Sequence, residues 1–312
     1  MKAFNINSVV SIVCPCYNEE DSIDVFLDEV IPVLLKLKLQ YEVIFVNDGS
    51  EDKTFETMIN AKKINNNIRI INLSRNFGKE SALTAGLCNS KGDVVIPMDV
   101  DLQDPPELIY SFVEKWKEGY DVVIAKRIDR SSDGLFKRLS AKYFYTLHQK
   151  ISDVHIPANV GDYRLMTKRV VLELNKLPEN QRYMKGLFSW IGYKTATIEY
   201  KRMERSKGNS SFSVWKLWEL ALEGVTSFST TPLKISLYTG TLISLISFAY
   251  GAIIFLKALF FDIDTPGYAS LLIAIIFFGG IQLISIGILG EYIGRIYKES
   301  KRRPSYVIED QY

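Results

Sequence analysis

The chain has little histidine or cysteine and almost no net charge. His148 and His155 are its only imidazoles, too few for a zinc centre built on histidine. The three cysteines, Cys14, Cys16 and Cys88, lie in or beside apolar strand and helix patterns. They are expected to be reduced, buried residues of a cytosol-facing domain rather than a disulfide framework or a metal site. Lys and Arg number 38 against 36 Asp and Glu, a net charge of +2, so no chain-wide field argues for nucleic acid. No G-x-x-x-x-G-K-[ST] occurs and no G-x-G-x-x-G follows the first apolar run, which argues against a P-loop NTPase or a nicotinamide-dependent dehydrogenase. A nucleotide bound here has to be held by side chains and a metal. The opening Met1-Lys2-Ala3-Phe4-Asn5 carries no secretory signal pattern.

What is present centres on Pro97-Met98-Asp99-Val100-Asp101-Leu102-Gln103-Asp104-Pro105-Pro106. The apolar run Val94-Val95-Ile96 before it reads as a buried strand of a parallel sheet, and the paired prolines end the strand and prepare a helix start. Side chains two apart on an extended chain point the same way, so Asp99 and Asp101 can converge just past the strand's carboxyl end, where open α/β sheets bind ligands. Two carboxylates so close repel unless a cation or a proton lies between them. Hard oxygen ligands at an open site suit Mg²⁺ or Mn²⁺, with positions left for phosphate oxygens. Alone, such a triplet is as compatible with a solvated acidic turn; its surroundings decide.

At 312 residues the length suits about two domains. Strand patterns at Ser8–Cys14, Tyr41–Val46, Ile68–Leu73, Asp93–Met98 and Asp121–Ala125 alternate with helical patterns, among them Asp21–Leu37 and Glu107–Glu118. That alternation predicts an α/β fold with a doubly wound, mostly parallel, Rossmann-like sheet. Its carboxyl-edge loops carry Tyr17 and Glu19, Asp48, Lys79, and Asp99 with Asp101. Val160–Met166 follows, then a helix-like Lys168–Leu174 and a strand-like Thr195–Tyr200.

The second half changes character. Leu135, Leu139, Tyr143 and Leu147 recur at four-residue spacing among Lys137, Arg138, Lys142 and Lys150, which fits either a membrane surface or a helix packed on the sheet. Residues 201–212 are basic and rich in Gly and Ser, either a solvated connector or a phosphate grip built on Arg202, Arg205 and Lys207. Residues 213–232 read as an interfacial amphipathic helix with Trp215 and Trp218. The nearly uncharged segments 235–256 and 269–290 are each long enough to span a bilayer, and Gly279, Gly280, Gly287 and Gly290 allow close packing. The connecting loop at residues 261–268 has no Lys or Arg, whereas the flanks have many. The positive-inside rule therefore predicts a hairpin with residues 1–212, both termini and a basic tail at 291–312 in the cytosol.

Val13-Cys14-Pro15-Cys16-Tyr17-Asn18-Glu19-Glu20, Val46-Asn47-Asp48-Gly49-Ser50, Arg75-Asn76-Phe77-Gly78-Lys79 and Asp99 through Pro106 together resemble an inverting glycosyltransferase of the GT-A, family 2 type. With Asp162-Tyr163-Arg164-Leu165-Met166, Gly290-Glu291-Tyr292-Ile293-Gly294-Arg295 and the two spans, the chain resembles the polyprenyl-phosphate glycosyltransferases, most closely the bactoprenol glucosyltransferases of O-antigen modification. The resemblance covers about Ser8 to Pro304. Val100 stands where many relatives carry Ala, both apolar.

The resemblance implies a hexosyltransferase of the bacterial inner membrane that moves glucose from UDP-glucose to undecaprenyl phosphate for lipopolysaccharide or other surface glycan. It places the uridine among Pro15, Tyr17, Glu19 and Asp48 with Lys79 near the nucleotide, the metal–diphosphate on Asp99 and Asp101 with Gln103 beside them, and Asp162, Arg202 and Arg205 around the reacting centre. Arg127, Arg130 and Arg138 are further candidates for the acceptor phosphate. Asp162 takes a residual proton, orients a sugar hydroxyl or completes the metal shell. Expected partners are the UDP-sugar, the lipid phosphate, the membrane, a flippase, a downstream glycosyltransferase and a second copy of the chain; nucleic acid is not among them. A mannose or aminoarabinose donor, a processive synthase and a sugar-nucleotide binder without activity are the competing readings. Gln181-Arg182-Tyr183 does not supply the Q-x-x-R-W of a processive synthase.

Overall fold

The computed structural model describes residues 7–128, 157, 159–180, 182–201, 229–260 and 267–312. Strands β1 (Val9–Cys16), β2 (Gln40–Asn47), β3 (Ile68–Leu73), β4 (Val94–Pro97) and β5 (Val122–Arg127) alternate with helices α1 (Ile23–Lys36), α2 (Thr54–Ile64), α3 (Lys79–Asn89) and α4 (Leu108–Lys117). There follow β6 (Val160–Thr167), α5 (Lys168–Lys176), α6 (Met184–Trp190), β7 (Thr195–Tyr200), α7 (Thr231–Phe260), α8 (Tyr268–Ser300) and β8 (Ile308–Gln311). The strands form one sheet in the order β7-β5-β6-β4-β1-β2-β3-β8. β1 pairs in parallel with β2 and β4, β2 with β3, and β5 with β7, while β6 and β8 run antiparallel to their neighbours.

The alternation of side chains along each strand divides the core into two layers. Val10, Ile12, Cys14, Val43 and Phe45 face α1, α2 and α4 and pack with Phe26, Met58 and Phe112. Val13, Ile44, Val46 and Val95 face α3, α5 and α6 with Leu83, Val171 and Leu187. Each such aliphatic side chain fully withdrawn from water contributes about 1.5–3 kcal/mol. A sheet covered on both faces explains why the central strands are continuous apolar runs. The one carboxylate set deep among them, Glu42, accepts from the Ser11 hydroxyl, the Lys91 amide (2.7 Å) and Arg69 (2.9 Å). Burial pushes its carboxyl up, but these partners outweigh burial and hold it below the ordinary range.

Three features differ from the sequence reading. Cys14 and Cys16 are buried free thiols, but Cys88 is exposed, because it falls on the outward side of the last turn of α3 while Leu87 takes the buried position. The segment around Asp162 is a full strand, inserted antiparallel between β4 and β5. The residues after 290 continue α8 to Ser300 and then add β8 to the edge of β3, with Asn72 opposite Asp310. α7 and α8 each contain a stretch long and apolar enough to cross a membrane, Thr231–Ile253 and Phe277–Ser300, with none of either stretch buried within the protein. α8 is tied to the rest of the chain by the Tyr292 hydroxyl on the Ser229 carbonyl (2.6 Å) and by the Asn180 amide on Glu299. The proposed interfacial helix at 213–232 lies outside the described residues except for its last four, and the basic aromatic segment at 135–147 lies outside them altogether.

Candidate active site

The carboxyl ends of β1, β2 and β4 and the start of α3 enclose a cavity of about 300 Å³. Pro15, Tyr17, Glu19, Asp48, Lys79, Asp99 and Asp101 all line it, so these seven residues meet at one place. The loops that carry them are cross-braced. The Asp48 amide donates to the Cys16 carbonyl (2.9 Å), the Asn18 amide to Ser50 Oγ (3.0 Å), and the Glu19 amide to Thr54 Oγ1 (2.7 Å). Asn18 adopts a left-handed backbone with φ of 54° to make this turn, which asparagine tolerates well.

Asp48 organises the next loop. Its Oδ1 accepts from the Phe77 amide (2.7 Å) and its Oδ2 from the Gly78 amide (2.9 Å), which fixes the start of α3 and hence Lys79. Burial raises the Asp48 carboxyl above the ordinary range, and the two amides and Arg75 only partly oppose this. Gly49 has φ of +66°, and a Cβ there would lie 2.4 Å from the Arg75 carbonyl carbon, so the two loops can close only on a glycine.

Lys79 reaches over the edge of the sheet to two carboxylates. Its Nζ lies 2.7 Å from Asp99 Oδ2 and 3.2 Å from Asp162 Oδ2. Burial opposes its charge, but Asp99 and Asp162 outweigh burial and hold the ammonium well above its usual range. Burial likewise pushes the Asp162 carboxyl up, and Lys79, Lys185 and Arg164 together bring it below the ordinary range. Asp162 Oδ1 is buried and has no hydrogen-bond partner among the described residues. Asp162 therefore joins the site through Lys79, although it comes from the antiparallel strand β6.

Asp99 and Asp101 lead into a turn in which Leu102 is left-handed, with φ of 52°. The Gln103 amide donates back to Asp101 Oδ1 (3.2 Å), and the Tyr163 hydroxyl donates to the Pro105 carbonyl (3.0 Å). Gln103 is buried beside this turn and does not line the cavity. Among the described residues no group of three or more His, Cys, Asp or Glu gathers as a closed metal cage. The hard oxygens of Asp99 and Asp101 fit a divalent cation that keeps water and phosphate oxygens as its other ligands. Arg127 ends β5 at the same carboxyl edge, opposite Tyr200. Arg130, Arg138, Arg202, Arg205 and Lys207 lie outside the described residues.

Two cations next to Asp162, Arg164 and Lys185, were not singled out by the sequence reading. The available signal was a charged residue inside the apolar alternation Tyr163-Arg164-Leu165, which marks a buried side chain with a specific task.

A doubly wound sheet whose carboxyl edge presents paired aspartates, a lysine and a nucleotide-sized cavity defines a glycosyltransferase of the GT-A class. The chain belongs to glycosyl transferase family 2: the family model, "Glycosyl transferase family 2", matches residues 11–174, and a second model, "GtrB C-terminal hairpin", matches residues 231–296. Among its relatives, the bactoprenol glucosyl transferase of Shigella phage SfV is 51% identical over 303 residues, 97% of this chain and 98% of that one. A prophage bactoprenol glucosyl transferase homolog of Escherichia coli K12 is 50% identical over 96% of this chain and 98% of its own length. An uncharacterized glycosyltransferase of Synechocystis is 49% identical over 96% and 95%. Among solved structures, glucosyl-3-phosphoglycerate synthase from Mycobacterium tuberculosis, in complex with Mn²⁺, UDP-glucose and phosphoglyceric acid, superposes with a TM-score of 0.51 at 17% identity, covering 70% of this chain and 78% of that one. At that identity the likeness establishes the fold.

Proposed function

We propose that the protein transfers glucose from UDP-glucose to undecaprenyl phosphate at the cytosolic face of the bacterial inner membrane, with inversion at the anomeric carbon. The observation that carries this reading is the gathering of Asp99, Asp101 and Lys79 around one cavity, in a chain half identical to bactoprenol glucosyl transferases over nearly its whole length. Two helices of membrane-spanning length support a lipid acceptor, and the lack of Lys and Arg between them supports cytosolic termini.

Asp99 and Asp101 would hold Mg²⁺ or Mn²⁺, which when bound supplies Lewis-acid stabilisation to the departing diphosphate. Pro15, Tyr17, Glu19 and Asp48 enclose the uridine. The Lys79 ammonium, fixed through the Asp48-braced loop, adds positive charge where the leaving group gains negative charge. A phosphate oxygen of the acceptor forms a bond to the anomeric carbon as the bond to the diphosphate breaks, and the electron pair leaves with UDP. The acceptor is already ionised near neutral pH, so it needs alignment more than a strong base, and alignment alone contributes several kcal/mol, on the order of 7–11 in the best intramolecular cases. Asp162, ionised and held by Lys79, orients the sugar. Arg202, Arg205 and Lys207, with Arg127 and Arg138, are assigned to the acceptor phosphate. The lipid-linked glucose would pass to a flippase and a downstream transferase.

A panel of UDP-glucose, UDP-galactose, UDP-aminoarabinose and GDP-mannose, each offered with undecaprenyl phosphate, tests the donor. Glucose alone in the lipid extract supports the reading. Another sugar keeps the reaction class and discards the glucose assignment.

A further inference from the structure

Cys16, Asn47, Asn72 and Asp310 stand in register across β1, β2, β3 and β8, so the end of the chain reaches the sheet edge that carries the donor loops. Between Asn72 and Leu73 the pairing slips by one residue. Asn72 faces Asp310 and Leu73 faces Ile308, which leaves Glu309 without an opposite. A bulge of this kind re-aims a side chain, and here Asn72 Nδ2 donates to Glu309 Oε2 (3.0 Å).

From Asn72 hydrogen bonds run inward without a break. Asn47 Nδ2 donates to Asn72 Oδ1 (2.7 Å), the Ser50 amide to Asn47 Oδ1 (3.2 Å), and the Asn18 amide to Ser50 Oγ (3.0 Å). Asn47 is 4% exposed, so its amide has little water to turn to. A carboxylate only accepts, whereas an asparagine amide has one accepting and one donating end. Glu309 therefore sets which way Asn72 faces, and Asn72 in turn makes Asn47 present its oxygen to Ser50. Reversing Asn72 would set carbonyl against carboxylate at one end and amino against amino at the other. Asn18 lies between Tyr17 and Glu19, and Asn47 immediately precedes Asp48; those three neighbours line the donor cavity. A strand that merely covers the edge of β3 needs its backbone pairing, but neither the bulge nor this run of side chains.

We propose that Glu309 and Asn72 are positioning residues for the donor, holding the Asp48–Ser50 loop in its nucleotide-binding form from the far edge of the sheet. The assignment rests on the donor reading given above. Residues 301–307 join α8 to β8, so the donor loop is tied through this chain of bonds to the end of a helix of membrane-spanning length.

The test uses the full chain in detergent micelles. UDP is titrated calorimetrically with Mn²⁺, and amide exchange of residues 47–51 is followed by mass spectrometry without ligand. Glu309→Ala is expected to speed that exchange and to weaken UDP binding about threefold to tenfold. The loss should appear in the KM for UDP-glucose, with the KM for undecaprenyl phosphate within about twofold of wild type. Glu309→Gln is expected to recover both readouts, because its carbonyl accepts the same bond. Asn72→Ala removes two bonds and is expected to lose more; Glu309→Ala, at an exposed side chain, carries the test if Asn72→Ala does not melt cooperatively. Wild-type UDP affinity in Glu309→Ala overturns the proposal. So does a loss that Glu309→Gln fails to recover, or one matched by an equal rise in the acceptor KM, which would mean general loosening of the fold. Wild type that binds UDP but transfers no glucose would refute the transfer reading, whereas a recoverable affinity loss in Glu309→Ala would still support the role of the tail.

Discussion

Lys79 Nζ lies 3.2 Å from Asp162 Oδ2, joining the start of a helix on the donor side of the sheet to a strand that runs against its neighbours. The same ammonium holds Asp99 at 2.7 Å. One cation thus sets the spacing between the carboxylate assigned to the metal and the carboxylate assigned to the sugar.

Replacing Lys79 by methionine keeps most of the length of the side chain and removes its charge. Turnover is expected to fall by about 10²–10³, the loss seen when a preorganised charge-stabilising donor is deleted. Steady-state rates at saturating donor and acceptor read this directly, and a rate within threefold of wild type would contradict the role.

Asp101→Asn is expected to abolish turnover and to remove the metal dependence of UDP binding. UDP affinity measured with and without Mn²⁺ separates this from misfolding. Retained turnover would remove Asp101 from the metal site.

Gly49→Ala places a methyl against the Arg75 backbone in a left-handed residue. The expected cost is about 1–3 kcal/mol of stability. Because Gly49 lies where the Asp48 loop meets the Arg75–Lys79 segment, a weakened UDP affinity should accompany the lower melting temperature. A change in neither would show that the two loops do not close as described.

The pH dependence follows from the signs of the two shifts. Lys79, raised by its carboxylate neighbours, contributes its stabilisation fully below its ordinary value of 10.5 and loses it only as pH rises through the higher folded value. Asp162, lowered by Lys79, Lys185 and Arg164 against burial, contributes above its ordinary 3.8 and loses this as pH falls through the lower folded value. The difference in melting temperature between wild type and Asp162→Asn is therefore expected to stay flat between about pH 5 and 9 and to shrink in acid. A difference that titrates near neutrality would contradict the ion cluster.

The parallel half of the sheet was legible because strands buried on both faces must be apolar throughout, as Val43–Val46 and Val94–Ile96 are. β6 was not read as a strand, since it buries Arg164 and half-buries Asp162, and charges interrupt the pattern that marks a strand. β8 escaped because Ile308-Glu309-Asp310-Gln311 has one apolar residue and is specified by the open edge of β3, a partner far away in the chain. The same distance hid the Lys79 ion pairs: the residues were recognisable one by one, but their meeting depends on where β6 inserts. β8 also means that truncation after Ser229 removes an edge strand as well as the membrane helices, so loss of nucleotide binding in such a fragment would reflect an uncovered β3 as much as a lost anchor.

The most direct measurement is transfer of labelled glucose from UDP-glucose into organic-extractable lipid by the purified protein with undecaprenyl phosphate. It is run with Mg²⁺ or Mn²⁺, then with EDTA, then with the metal restored. The account predicts acid-labile lipid label that disappears with EDTA and returns with the metal. Label in a water-soluble or polymeric product, with none in lipid, would contradict it.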